Sequence, residues 1–182
     1  MPRLYVFVLG LSSLLCGGCY DFDSPIDTSP RHAIDPGLLG TWRCLGDDAP
    51  DAQPANFVVT SPRERVYSIT FEAPGENAST YEAYSSKLKG GALLLNVRDL
   101  DPRFPAKPWT LARYSLLLPH VLRVQLVDDE KLKVTDNSPA ALRAAIESSA
   151  RDRDLYAEFC ICVRVRDTPK EEASPVGRPT RR

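Results

Sequence analysis

The side chains in this chain that are best suited to bind a metal ion or act in catalysis are five cysteines and two histidines. Cys160 and Cys162 stand one residue apart, which is tighter than the Cys-x2-Cys spacing of structural metal sites, and no histidine lies near them. His32 lies in a stretch rich in Pro, Ser and Asp, and His120 follows Pro119 in a predicted turn. The sequence therefore predicts no metal site.

The other polar residues do not predict catalysis. A Ser-His-Asp triad would have to use His120, and the sequence contains no Gly-x-Ser-x-Gly motif to present a nucleophilic serine. It also contains no glycine-rich phosphate loop. Paired carboxylates fall at predicted strand ends and turns, the usual places for solvated acids: Asp47 and Asp48, Asp99 and Asp101, Asp128 and Asp129. We expect a protein that is not an enzyme and has no cofactor; an enzyme is the least favoured class.

The charge of the chain argues against nucleic acid as a partner. Lys plus Arg number 23 and Asp plus Glu number 24, so the net charge is −1. Nucleic-acid binding needs a clustered basic surface. Residues 178–182 are basic, but this run is short and reads as a solvated end of the chain.

The first 19 residues have the anatomy of an export signal. Arg3 gives a positively charged start, and residues 4–15 form an uncharged, mostly apolar run. That run is shorter than the roughly 20 residues that a membrane-spanning helix needs. Gly17 and Gly18 follow it and stand directly before Cys19.

This ending resembles the lipobox of bacterial lipoproteins, in which small residues precede a required cysteine. The resemblance implies that residues 1–18 are a signal peptide and that Cys19 carries a lipid that anchors the protein to a membrane. The family usually has Leu three residues before the cysteine, where this chain has Cys16. Tyr20 replaces the retention Asp of some lipoproteins, which favours the outer membrane, although Asp21 weakens this inference. The alternative is an ordinary secretory leader with an incidental cysteine.

The mature chain divides into two polar ends and one domain. Residues 19–35 are rich in Asp, Ser and Pro and predict a lipidated tether. Residues 168–182 are polar and Pro-rich and predict a disordered tail. Residues 36–167 are long enough to bury a hydrophobic core.

Period-two alternation of apolar residues makes this domain mainly β. One helix is predicted late in the chain, because Ser138 suits the N-cap, Pro139 suits the first position, and Leu142 and Ile146 share a face. The sequence predicts a small antiparallel barrel of about eight strands with this helix before the last strand. The predicted strands are 38–45, 56–61, 64–72, 79–87, 92–98, 109–118, 121–127 and 155–166.

The first strand carries Gly40-Thr41-Trp42, which resembles the Gly-x-Trp signature of lipocalin-like barrels. The resemblance implies that Trp42 closes one end of the barrel and packs against an Arg of the last strand, either Arg164 or Arg166. Two features depart from the family: no Thr-Asp-Tyr motif is present, and the helix precedes the last strand. The alternative role for Trp42 is that of an ordinary core aromatic.

Export would place the cysteines in an oxidising compartment, where disulfides persist. A barrel register that pairs Trp42 with Arg164 also pairs Cys44 with Cys162, and a slip would give Cys44–Cys160. An opposing observation leaves the prediction of this disulfide undecided. The apolar stripe of residues 159–165 should face the core, which would turn Cys160 and Cys162 outward, away from Cys44.

Two function classes remain. The first is a membrane-anchored envelope module that binds an apolar small molecule or lipid. Its candidate lining residues, which would fill the core if the barrel is packed, are Tyr67, Ile69, Phe71, Leu93, Leu95, Leu122 and Val124. The second is a protein-interaction or structural lipoprotein with a packed barrel, such as an assembly factor, an inhibitor or a complex subunit. Its candidate anchors are Arg43, Tyr81, Tyr84 and Arg113.

Overall fold

The computed structural model describes residues 20–46, 53–101, 108–134 and 136–165. They form a closed antiparallel barrel of eight strands with one helix before the last strand, which confirms the predicted fold class. The strands are β1 (Asp21–Phe22), β2 (Gly40–Gly46), β3 (Ala55–Arg63), β4 (Val66–Glu72), β5 (Ser79–Lys87), β6 (Leu93–Asp99), β7 (Trp109–Leu118), β8 (Val121–Val127) and β9 (Tyr156–Arg164). The helix is α1 (Pro139–Ser148).

The barrel runs from β2 to β9, and each strand pairs with the next. It closes because β9 pairs with β8 on one side and with β2 on the other. Closure leaves no free edge between these strands. The short β1 is an addition, which pairs Asp21 with Thr110 and Phe22 with Trp109 at the start of β7.

Two clusters of buried side chains hold this architecture. The first fills the barrel interior and centres on Trp42, Tyr67 and Leu122. The second lies between the outer face of the sheet and helix α1, where Leu142 and Ile146 pack with Leu94 and Leu111. The helix begins as the sequence indicates, since the Ser138 hydroxyl accepts a hydrogen bond from the Ala141 N–H.

The segment predicted as a tether is part of the fold, and that prediction is wrong for residues 20–35. Phe22 and Ile26 are buried in the outer core. The Ile26 N–H donates to Asn96 Oδ1 at 2.9 Å, and the Tyr84 hydroxyl donates to the Asp27 carbonyl. The segment stays attached because its two apolar side chains cover sheet surface that would otherwise meet water.

The predicted orientation of the last strand is also wrong. Cys160 and Cys162 face the interior and are buried, whereas Ile161 and Val163 face outward and are exposed; Phe159 is exposed at the mouth of the barrel, where its ring lies against that of Phe57. A β-bulge is one physical reason. Cys160 pairs with Val124 while Glu158 pairs with Gln125, so one extra residue shifts the alternation of β9.

Candidate functional site

Trp42 and Arg164 close one end of the barrel. The Trp42 indole donates to the Leu38 carbonyl at 2.8 Å, and the Arg164 guanidinium lies 4.2 Å from the centre of the Trp42 ring. Arg164 also donates to the carbonyls of Gly37 and Leu39. Gly40 has a φ of +122°, and a Cβ atom there would lie 2.8 Å from Nη1 of Arg164. These contacts are structural. Arg166 lies outside the described residues.

The predicted lining residues mostly fill the barrel. Tyr67, Leu95 and Leu122 are buried in the inner cluster, with Ile69 and Val124 packed against it. The Asp35 N–H donates to the Tyr67 hydroxyl at 2.7 Å, whereas the buried Ser85 hydroxyl on β5 has no hydrogen-bond partner among the described residues. The interior around Trp42 is therefore a packed core.

The predicted lining residues Phe71 and Leu93 lie elsewhere. Leu93 is partly buried at the start of β6, and Phe71 lies at the opening of the barrel. There, an open cleft of about 730 Å³, which we call the mouth cleft, contains Phe57, Phe71 and Phe159. The ring centroid of Phe57 lies 5.1 Å from that of Phe71 and 6.4 Å from that of Phe159. Gln53 and Glu76 add polar groups to an otherwise apolar wall.

Three sulfur atoms lie at the inner end of this cleft, which Cys44 and Cys160 line. The structure joins Cys44 and Cys162 in a disulfide and leaves Cys160 as a buried thiol. The Sγ atoms of Cys160 and Cys162 are 3.5 Å apart. Burial, with a smaller contribution from the negative charge of Glu158, raises the pKa of the Cys160 thiol to about 12. Cys160 is therefore a neutral thiol at pH 7.

An apolar strip crosses the outer face of the barrel. Leu118 pairs with Val121, Val121 pairs with Val163, and Leu45 pairs with Ile161, so their side chains share one face. Leu45 is 54% exposed, Ile161 47% and Val163 51%. We call this surface the outer strip; its residues are Leu45, Leu118, Val121, Ile161 and Val163. Phe159 lines the mouth cleft and lies two residues before Ile161 on β9, so the two surfaces adjoin.

The charged residues on the outer face of β2, β8 and β9 are few. Arg43 is exposed and pairs across the sheet with Val163, within the outer strip. Arg123 forms an ion pair with Glu158. Arg43 is thus the one cation here without an ion-pair partner among the described residues.

The other predicted anchors have structural roles. Tyr84 is buried, and its ring packs edge-on against Trp109 at 5.7 Å. The Arg113 guanidinium lies 3.8 Å from the centre of the Tyr156 ring and donates to Gln125 Oε1. Tyr81 is partly buried on β5. The sequence does not predict the outer strip, because the apolar stripe of β9 has the pattern of a core-facing stripe. The sequence feature that could have indicated the outer strip was the conflict between that apolar stripe and the expected inward orientation of Cys44.

A search against protein-family models and curated proteins finds no match for this chain. Within the described part of the chain, no helix combines the length and the apolar character needed to cross a membrane.

Proposed function

We propose that this protein is a non-enzymatic protein-interaction module. The observation that supports this most is the outer strip, since four of its large apolar side chains are exposed: Leu45, Leu118, Ile161 and Val163. Soluble monomers rarely expose contiguous apolar surface of this kind unless it binds something. The packed interior around Trp42 supports the same class, because it leaves the outside of the barrel as the surface that can bind.

The chemistry of the strip favours a different protein over a second copy of this chain. Arg43 lies within the strip and has no ion-pair partner among the described residues, and a two-fold contact centred there would bring two such guanidinium groups together. A partner with an apolar surface and a carboxylate opposite Arg43 would fit better. Burying that pair beside apolar contacts would give the interface its specificity.

Charge placed in the outer strip tests this proposal. In the full chain, Ile161→Glu should abolish crosslinked capture of one specific envelope protein, and Arg43→Glu should weaken that capture at least tenfold. Thr60→Glu, on an exposed position of β3, is the matched control and should leave capture unchanged. Circular dichroism should show that all three variants fold. Equal capture by Ile161→Glu and the parent chain would contradict the proposal, as would a strip-dependent dimer in sedimentation.

A second candidate function is binding of an apolar small molecule or lipid at the mouth cleft. It rests on the three phenylalanine rings that line an open space of about 730 Å³. Native mass spectrometry with added fatty acid should then show one bound molecule. Phe71→Ser should remove this binding, whereas Ile161→Glu should leave it intact. No uptake by the parent chain would exclude this function without affecting the first.

We also propose that the protein is anchored in the cell envelope, in the outer membrane rather than the inner membrane, through a lipid on Cys19. Cys19 lies outside the described residues. The proposal rests on the lipobox-like ending at Gly17, Gly18 and Cys19. Because β1 begins at Asp21, such a lipid would hold the barrel close to the membrane surface.

Metabolic labelling with a palmitate analogue tests the anchor. Labelling should disappear in Cys19→Ser and persist in Cys160→Ser, whose thiol is buried in the barrel. Undiminished labelling of the Cys19→Ser variant would contradict lipidation at this residue. Separation of inner and outer membranes should place the labelled protein in the outer fraction.

A further inference from the structure

Cys160 is not needed for the disulfide, yet it lies beside it. The Sγ atoms of Cys44, Cys160 and Cys162 all lie within 4.8 Å of one another, and all three residues are buried. A small apolar side chain at residue 160 would fill the same space without the risk of disulfide exchange. The presence of a third sulfur at residue 160 therefore suggests that the thiol has a chemical role.

The spacing of these sulfurs suits a metal ion. In a tetrahedral zinc thiolate site with Zn–S bonds of about 2.3 Å, neighbouring sulfurs lie about 3.8 Å apart. The Sγ atoms of Cys160 and Cys162 are 3.5 Å apart without any bond between them. After reduction, Cys44 and Cys162 would also separate to non-bonded distance, which gives three thiol ligands around one point.

The surroundings of the three sulfurs leave them accessible from the mouth cleft and cover them on the interior side. Cys44 and Cys160 both line the mouth cleft, so an ion can reach the sulfurs and a fourth ligand can enter from solvent. Trp42 and Leu122 belong to the same buried cluster as the three cysteines, which places the sulfurs at the edge of the apolar core. A site with three protein ligands and one open position is the usual arrangement of a reactive zinc centre.

We propose that Cys44, Cys160 and Cys162 form a redox-gated site for a thiophilic d10 metal ion, with Zn²⁺ as the type case. A dithiol gives two electrons and two protons to the Cys44–Cys162 bond and becomes a disulfide itself. Zn²⁺ then displaces one proton from each of the three thiols to form three Zn–S bonds. In the reverse direction, the Cys44 and Cys162 thiolates give two electrons to a small-molecule disulfide, which takes up two protons from water and becomes two thiols. Cys44 and Cys162 re-form their bond, Cys160 takes up one proton from water, and the ion is released.

Metal titration of the full chain tests this site. Cys16 and Cys19 are replaced by Ser, because their thiols would also bind metal. After reduction with a phosphine, the chain should bind one equivalent of Co²⁺ with a thiolate charge-transfer band, and Zn²⁺ should displace it. The oxidised chain should show no such band. Cys160→Ser should weaken Co²⁺ binding at least tenfold in the reduced chain, while its disulfide still forms under oxidation.

Three results would overturn the proposal. The first is a reduced, folded chain without the charge-transfer band. The second is equal Co²⁺ affinity in Cys160→Ser, which would show that the third sulfur is not a ligand. The third is a chain that unfolds on reduction, judged by near-UV circular dichroism, and does not refold when Zn²⁺ is added.

Discussion

The guanidinium of Arg164 makes two kinds of contact at one end of the barrel. It stacks 4.2 Å from the centre of the Trp42 ring and donates to the carbonyls of Gly37 and Leu39. The flat fork of arginine permits both, since its face meets the ring while its edge meets the carbonyls. Lysine could not reproduce this geometry with a single ammonium group.

Replacement of Arg164 by Lys should therefore destabilise the protein although the charge is kept. We expect the free energy of unfolding to fall by about 2 kcal/mol, the range of hydrogen bonds to a charged group. Urea unfolding followed by far-UV circular dichroism measures this. Arg43→Lys on the exposed face is the control and should change the free energy by less than about 0.5 kcal/mol. Equal effects would show that the Arg164 contacts contribute little.

At the scale of elements, residues 20–35 belong to the folded domain. Ile26 is 2% exposed and lies in the outer core with Leu94 and Leu111. Its N–H donates to the buried side chain of Asn96, which in turn donates to Ser86 Oγ at 2.8 Å. The segment thus satisfies a buried amide as well as covering apolar surface.

Ile26→Ala should cost about 2–4 kcal/mol of unfolding free energy, as for other buried Ile residues. The exposed Ser29 of the same segment provides the control, and Ser29→Ala should be nearly neutral. Urea midpoints of the two variants give the comparison. If Ile26→Ala proved neutral, the segment would be a loose tether after all.

Strands β8 and β9 allow a comparison between a side chain on the outer face and a side chain inside the barrel. Ile161 points outward, whereas Leu122 on the paired strand β8 is buried inside the barrel. Leu122→Ala should therefore lower the free energy of unfolding by about 3 kcal/mol, and Ile161→Ser by less than about 1 kcal/mol. Denaturant unfolding of both variants tests the assignment of faces, and a larger cost for Ile161→Ser would reverse it.

For the whole molecule, buried acidic groups predict loss of stability at alkaline pH. Burial raises the pKa of Tyr84 from 10.0 to about 12 and that of the Cys160 thiol from 9.0 to about 12. The unfolded chain therefore loses these protons at lower pH than the native chain does. Their stabilisation is fully present below pH 9 and is lost as the pH rises towards 12.

The urea midpoint should accordingly be constant from pH 7 to about 8.5 and fall steadily between about pH 9 and 11. Cys160→Ser removes the thiol with the lowest unfolded pKa, so its decline should begin later, near the ordinary pKa of tyrosine. A midpoint that stays level to pH 11 would show that these groups ionise equally in both states.

Much of the fold was readable from the sequence, because it depends on local pattern. Alternation of Tyr67, Ile69 and Phe71 marks a strand wherever it lies, and Ser138 with Pro139 marks a helix start from neighbouring backbone alone. Closure of eight such strands follows from the need to remove free edges. The barrel and the order of its elements were therefore predictable.

The faces of the elements depended on tertiary structure. Strand β9 is apolar on one side and carries cysteines on the other, so alternation defines two faces without saying which lies inside. The bulge opposite Val124 and the pairing of Cys44 with Cys162 decided that the cysteines face inward. Likewise, Phe22 and Ile26 look isolated in a polar stretch until the outer sheet face with Leu94 and Leu111 is present. Burial is a property of the surface that covers a side chain, and here that surface comes from distant parts of the chain. The sequence alone determined the strands, the helix and the lipobox-like ending at Cys19, whereas the exposed outer strip and the cluster of three sulfurs exist only once the barrel has closed.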